Sequence, residues 1–396
     1  MKILGLPPDV GNPAEPLKEI GQREPIGPCG QYRIKYPLDT LNELESVQTD
    51  WGGYPLPYVW EYARDFDIVV LHRQTMPSIR SFVDHAQVFL GKKVVVDVDD
   101  AVLDLDPRNP AYVWWGADKD LVWEVFCQLR DSGRSSERMK AVRPEQIHRV
   151  VEENRSGFEW MLKRANMVSV TTEFLKKEYE KYNDNVVVLP NCVKAEDWLG
   201  VIPKRHPDAD GKVVLGWSGG DSHAPDLEVI KNSVARILRK YADVVFLIVG
   251  FPDAVNLFPL DVRDKILTVP WSGIDEYRGW LGGFDIGLAP AQRNKTNMAK
   301  SGIRIYEMAL ARPDGMAVIA SPWPYGDDVH KGMGTVAANN AKFEKAIEKY
   351  IRDVKLRREH GKALREHVLD DHVMDHNVYK WLKAYSELGG MDVRTD

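Results

Sequence analysis

Apolar residues in this chain gather into short β-branched runs, at residues 2–6, 68–71, 94–98, 167–170, 186–189, 213–217, 244–249, 266–269, 286–288 and 316–320. Most are continuously hydrophobic, as strands covered on both faces must be, and the longer stretches between them repeat at helical spacing. Ile147, Val150, Val151, Phe158, Met161 and Leu162 show this well: they share one side of a helix, charge takes the other, and Arg164-Ala165-Asn166 leads into the next strand. Strands alternating with helices predict an α/β protein built on doubly wound parallel sheets.

Length sets the number of domains. A single core stops growing at roughly 250–300 residues, and this chain has 396. A strand ending at Pro190-Asn191 is followed by PKRHPDADG (203–211), polar and turn-rich, before strands resume. The expectation is one domain over 1–198, a second over 199–370, and a closing helix and tail over 371–396. In that tail Val373, Val378, Trp381, Leu382 and Tyr385 recur at about helical intervals. Ligands of such sheets lie at the C-terminal ends of strands, so the cleft between the domains is the default site.

Composition narrows the function classes. With 53 Lys and Arg against 59 Asp and Glu, the formal net charge is −6, which argues against a protein-wide nucleic-acid footprint and leaves room only for a local patch. Three widely spaced cysteines, Cys29, Cys127 and Cys192, make neither a disulfide framework nor a zinc knuckle and fit a reducing compartment. The N-terminus breaks at Pro7-Pro8 before a signal-peptide core forms, and no apolar run approaches the roughly 18 residues of a membrane span. A cytoplasmic location is expected.

Two segments carry candidate chemistry. VVLGWSGGDSHAPDL (213–227) reads as a strand, a glycine turn and a helix start. Gly219 and Gly220 allow close backbone approach, and Ser222 and His223 would sit among the free N–H groups of that helix, an anion site suited to phosphate. The spacing is neither G-x-G-x-x-G nor a P-loop, and a merely tight strand-to-helix turn is the plainer reading. In NKTNMAKSGIRIYEMALARP (294–313), a helix capped by Ser301 would put Lys300, Arg304 and Glu307 on one face and Ile303, Tyr306 and Leu310 on another. Two cations and an acid would then serve a diphosphate and sugar hydroxyls, where the plainer reading is a solvated charge ladder. The strand FDIGLAPAQ before it aims the segment at the strand ends.

Together with VVVDVDDAVLDL, and with MVSVTTEFL followed by VVVLPNCV, these blocks resemble the retaining glycosyltransferases of GT-B fold, the large family that includes sucrose and glycogen synthases. The chain is similar to the compact members of bacteria and phages, from about residue 32 to 381. The resemblance implies two Rossmann-like domains facing across a cleft, with the C-terminal helix packing back on the N-terminal domain. It implies transfer from a nucleotide-diphosphate sugar, a UDP-sugar first, held mainly by the second domain and requiring no metal. Glu307 matches the second of the family's two motif glutamates and would hold the donor ribose. The first falls at Ala299 and is absent, which leaves the donor sugar open. As the glycosidic bond breaks, charge builds on the diphosphate, so Gly219, Gly220, Ser222, His223, Lys300 and Arg304 are the candidates to stabilise it. A donor phosphate oxygen takes the acceptor's proton in the mechanism proposed for the family.

VVVDVDD (94–100) has the look of a D-x-D metal clamp, but a second domain that supplies its own cations makes a metal unnecessary. Asp97 is expected at a strand end, and Asp99, Asp100 and Arg73 on the acceptor side with Trp114 and Trp115. Beside those tryptophans and Trp123 runs QLRDSGRSSERMKAVRPEQIHR (128–149), with six cations against three acids. Aromatics beside a basic loop suit DNA, by phosphate contacts and base stacking, or a glycan stacked on Trp. Packing of the tryptophans in a helical hairpin is the alternative. A hydroxymethylated DNA base and a saccharide both remain as acceptors. A nucleotide-sugar epimerase of the same fold, and a non-catalytic glycan- or nucleic-acid-binding relative, are the rival functions.

Overall fold

The computed structural model describes residues 1–7, 21–23, 26–54, 56–74, 77–132 and 137–390. Pro8, Arg134 and the tail beyond residue 390 lie outside the described residues. The chain forms two compact units: residues 1–192 with the C-terminal helix Met374–Gly389, and Val193–Val373.

The first unit holds β1 (Lys2–Leu6), β2 (Gln48–Trp51), β3 (Ile68–His72), β4 (Lys93–Val98), β5 (Met167–Val170) and β6 (Val186–Val188), all parallel, in the order β2-β1-β3-β4-β5-β6. The second holds β7 (Val213–Ser218), β8 (Val244–Gly250), β9 (Ile266–Pro270), β10 (Ile286–Ala289), β11 (Ala317–Ala320) and β12 (Thr335–Val336), again parallel, in the order β12-β11-β10-β7-β8-β9. That second order is the 3-2-1-4-5-6 arrangement of dinucleotide-binding sheets, and its strand order reverses between β7 and β10.

The central strands are buried throughout, β3 and β5 without exception, which is why their sequences run apolar without alternation. Two edge strands escaped sequence reading. In β2, QTDW, only Trp51 is buried, and β12 is two residues long. The second unit closes around Trp217, Phe246, Phe258, Phe343 and Tyr350. Gly216 lets Phe284 lie directly on β7, since a Cβ there would sit 1.9 Å from the Phe284 ring.

The turn-rich stretch 203–211 belongs to the second unit, where the Lys204 amide bonds the Gly279 carbonyl at 2.8 Å. Residue 371 ends the helix Val354–Asp371, and the closing helix begins at Met374, burying Trp381 and Tyr385 and packing on the helix Tyr36–Asn42 of the first unit. No helix among the described residues is long and apolar enough to cross a membrane.

Candidate functional site

In the second unit, the loops after β7 and β10 lie at the point where the strand order reverses, which is where doubly wound sheets hold ligands. Gly219 directly follows β7. A Cβ on it would press 2.9 Å from Trp217 and 3.1 Å from His223, while Gly220 has open space there. The next element is a 3-10 helix, Asp221–Val229, and the α-helix starts only at Lys231. The expected α-helical start at Ser222 and His223 is thus corrected. Pro225 lacks the amide an α-helix would need, and the chain makes tighter turns instead.

Asp226, 4% exposed, ties the two loops together. Its Oδ1 accepts the Gln292 amide at 2.9 Å and Asn297 Nδ2 at 2.6 Å, and Asn294 caps the short helix Lys295–Met298 that carries Asn297. Its Oδ2 lies 3.6 Å from His223 Nδ1. Burial first, and then the Arg304 charge, push the His223 pKa down to about 4 against the opposing pull of Asp226, so the ring is neutral near pH 7.

The segment after β10 also departs from expectation. The helix is Ile303–Leu310, its cap is Gly302, and no side chain caps it. Ser301 therefore lies in the preceding turn, as does Lys300. A Cβ at residue 302 would lie 2.4 Å from Asp328 Oδ2 and 2.7 Å from the Tyr306 ring, so glycine lets these side chains close over the helix start. Nor does the helix show one charged and one apolar face. All residues from Arg304 to Leu310 are buried, Arg304 at 8% and Glu307 at 7% exposure. Arg304 lies 6.0 Å from the Trp217 ring centre, and its Nη1 has no hydrogen-bond partner among the described residues. Burial opposes its charge, but Tyr325, Asp226, Tyr277 and Glu307 outweigh this and hold it protonated. Glu307 Oε2 accepts the Tyr277 hydroxyl at 2.9 Å, and that hydroxyl lies 3.2 Å from Ser218 Oγ. Ala299, where the family's first glutamate would stand, is fully buried.

The structure thus gathers His223 and Arg304 around Asp226, with Lys300 close enough to act on His223. Sequence reading missed Asp226, Tyr277 and Tyr325. Asp226 stands in the quoted motif but reads as a turn residue, and Tyr277 in IDEYRGWLG reads as an ordinary helix aromatic.

In the first unit the three acids are held by cations. Asp97, 1% exposed and inside β4, accepts Arg33 Nε at 2.8 Å, Arg33 Nη2 at 2.6 Å and Ser169 Oγ at 2.6 Å. Asp99 meets His72 Nε2 at 3.1 Å and Arg73 Nε at 3.0 Å, and Asp100 accepts Arg73 Nη1 at 2.9 Å. Arg73 adopts a left-handed φ of 45°, which costs a non-glycine residue about 1–3 kcal/mol. Among the described residues no group of three His, Cys, Asp or Glu could hold a metal ion. Trp115 packs edge-on to Phe158, Trp114 lies against the core of the helical hairpin, and Trp123 stacks on Phe126.

Residues 233–383 match the family described as glycosyl transferase-like. Among solved structures the chain is similar to HepE of Anabaena in complex with UDP and glucose (12% identity, 98% of this chain and 100% of that one, TM-score 0.59). It is similar to sucrose-phosphate synthase of Thermosynechococcus elongatus (13%, 98% and 100%, 0.57). A third likeness is to a TarM variant of S. aureus in complex with fondaparinux, alpha-GlcNAc-glycerol and UDP (12%, 83% and 58%, 0.54). No curated protein matches. The fold is that of the GT-B glycosyltransferases.

Proposed function

We propose that the protein is a glycosyltransferase that moves a sugar from a UDP-sugar to a hydroxyl of a saccharide, with retention of configuration. The observation that carries this reading is Arg304, a buried guanidinium with an unanswered Nη1 at the loop ends of β7 and β10, inside the segment that matches the glycosyl transferase-like family. A buried cation with a spare donor calls for an anion. The UDP in the HepE and TarM structures of the same fold supports a nucleoside diphosphate as that anion.

In this reading Arg304, Lys300 and His223 meet the diphosphate. Gly219, Gly220, Ser222 and Ser301 line the path of its oxygens, and Glu307 takes the ribose hydroxyls. Negative charge grows on the diphosphate as the sugar leaves, so fixed cations lower the barrier more than they tighten ground-state binding. The acceptor hydroxyl gives its proton to a phosphate oxygen on the same face, and no enzyme nucleophile is used. Turnover survives EDTA, because the leaving group's charge is met by side chains.

A saccharide acceptor is supported over a DNA base by the 119–164 hairpin. Trp114 and Trp115 beside it are engaged in packing, Trp123 stacks on Phe126 although 41% of it is exposed, and Lys119 and Arg149 are paired with Glu152 and Glu153 at 2.7 and 2.9 Å, which leaves less charge for phosphates. Asp99, Asp100 and Arg73 lie at the strand ends of the first unit and suit hydroxyl contacts.

The test is the melting temperature with millimolar UDP, which should rise by preferential binding to the native state. No shift with UDP or any other nucleoside diphosphate would remove the donor-site reading.

A further inference from the structure

We propose that Asp226 is a positioning residue that holds His223 protonated on Nδ1 and bare on Nε2, so that His223 takes up a proton from solution when the donor's diphosphate binds. The inference rests on the donor-site reading above and assigns the origin of one of its cations.

The geometry begins with a buried carboxylate. Asp226 Oδ1 is occupied by the Gln292 amide and Asn297 Nδ2, and Oδ2 faces His223 Nδ1 at 3.6 Å. A carboxylate oxygen accepts, so the tautomer with its N–H turned towards Oδ2 is the favoured one, even though 3.6 Å is longer than a direct hydrogen bond. A neutral imidazole has a single N–H, and the opposite nitrogen, Nε2, is left as an acceptor. The other charged groups around the ring are Lys300 and Arg304, and both disfavour a third cation. Tyr325, Tyr277 and Glu307 stand around Arg304 and favour its charge.

A bare Nε2 and a phosphate oxygen are both acceptors and cannot bond each other. A bound diphosphate also offsets the Lys300 and Arg304 charges that kept the ring neutral. One proton from the buffer then converts imidazole to imidazolium, Nε2 becomes a donor to the diphosphate, and no ligand bond changes. The proton returns to the buffer when the diphosphate leaves. Because Nδ1 faces Asp226 Oδ2 and carries the neutral ring's hydrogen, the incoming proton has only Nε2 to occupy.

The experiment is calorimetric titration with UDP at about pH 6, in two buffers of different ionisation enthalpy, on the wild type and His223→Gln. UDP's own terminal phosphate titrates in this range, with a pKa of about 6, and its contribution cancels between the two proteins. The wild type should take up about one proton more than the variant. Equal uptake, with UDP bound by both, would overturn the role of His223. Absence of UDP binding by the wild type would overturn the donor-site reading and this inference with it. Asp226→Asn separates positioning from scaffolding. Its amide can donate to Nδ1 and send the ring's single proton to Nε2, so uptake should fall while UDP still binds; unchanged uptake would contradict the positioning role. Ring-nitrogen NMR of the wild type gives a readout that needs no variant: the His223 Nε2 resonance should move from the bare to the protonated position on adding UDP, and a stationary resonance would sink the proposal.

Discussion

Tyr277 gives its phenolic hydrogen to Glu307 Oε2 at 2.9 Å, joining the helix Ile274–Gly282 to the helix that carries Arg304. Burial and then the Glu307 charge hold the phenol far above its usual pKa, so Tyr277 keeps its hydrogen, gives it to Glu307, and accepts from Ser218 Oγ at 3.2 Å. A carboxylate fixed in this way has a set orientation, which is what recognition of two vicinal ribose hydroxyls needs.

Glu307→Gln should keep the fold and weaken donor use. A hydrogen bond to a charged group is worth about 1.5–3 kcal/mol, so kcat/KM for the donor should drop roughly 10- to 150-fold, with the acceptor KM little changed. Tyr277→Phe, which removes the orienting bond together with the Ser218 contact, should cost about 0.5–1.5 kcal/mol, roughly 2- to 10-fold. Steady-state kinetics at limiting donor check both, and a fully active Glu307→Gln would remove the ribose assignment.

Lys300→Ala should behave differently. In the proposed function Lys300 meets charge that grows as the glycosidic bond breaks, and kcat should then fall more than UDP affinity. A variant that lost UDP affinity at unchanged kcat would place Lys300 in ground-state binding alone.

Acid should weaken the fold through His223. Its folded pKa is about 4, below the usual value near 6.5 for an exposed imidazole. Between those values the unfolded chain binds a proton that the folded chain does not, so stability is lost as pH falls from about 6.5 towards 4. His223→Gln should flatten this part of the profile, as urea midpoints at about pH 7 and about pH 5 would reveal.

Arg33 and Asp97 form a fully buried pair in the first unit, with Arg33 Nη1 also bonding the Leu189 carbonyl at 2.6 Å and Asn191 Oδ1 at 3.1 Å. Arg33→Ala strands the carboxylate and should cost about 3–5 kcal/mol in denaturant unfolding. Replacing both residues with apolar side chains of similar volume should cost less, because no unpaired charge remains. A mild Arg33→Ala would show that water reaches Asp97.

Much of this architecture could be read in advance, and the reason is physical. Strands buried on both faces must be apolar without interruption, so runs such as Val94–Val96 and Val244–Val249 betray themselves. Edge strands need not be, and β2 went unseen. Local chemistry misled where a pattern was overruled: Pro225 turns a helix start into 3-10 turns, and the helix begins after Gly302 with no side-chain cap. Pairings distant in sequence were out of reach. Nothing in QYRIKY marks Arg33 as the partner of an acid 64 residues away, and Tyr277 reaches Glu307 only through the fold. The D-x-D pattern is likewise resolved by its partners, Arg33, His72 and Arg73, none adjacent to it in sequence.

Turnover decides most directly whether the protein transfers sugar. The protein is incubated with a panel of UDP-sugars and a mixture of oligosaccharides, and free UDP and the anomeric configuration of any new linkage are measured. UDP should be released with at least one sugar, the new bond of the saccharide product should keep the donor's configuration, and the yield should be unchanged in EDTA. Epimerised donor in the absence of acceptor, or binding of UDP-sugars without any release of UDP, would contradict sugar transfer.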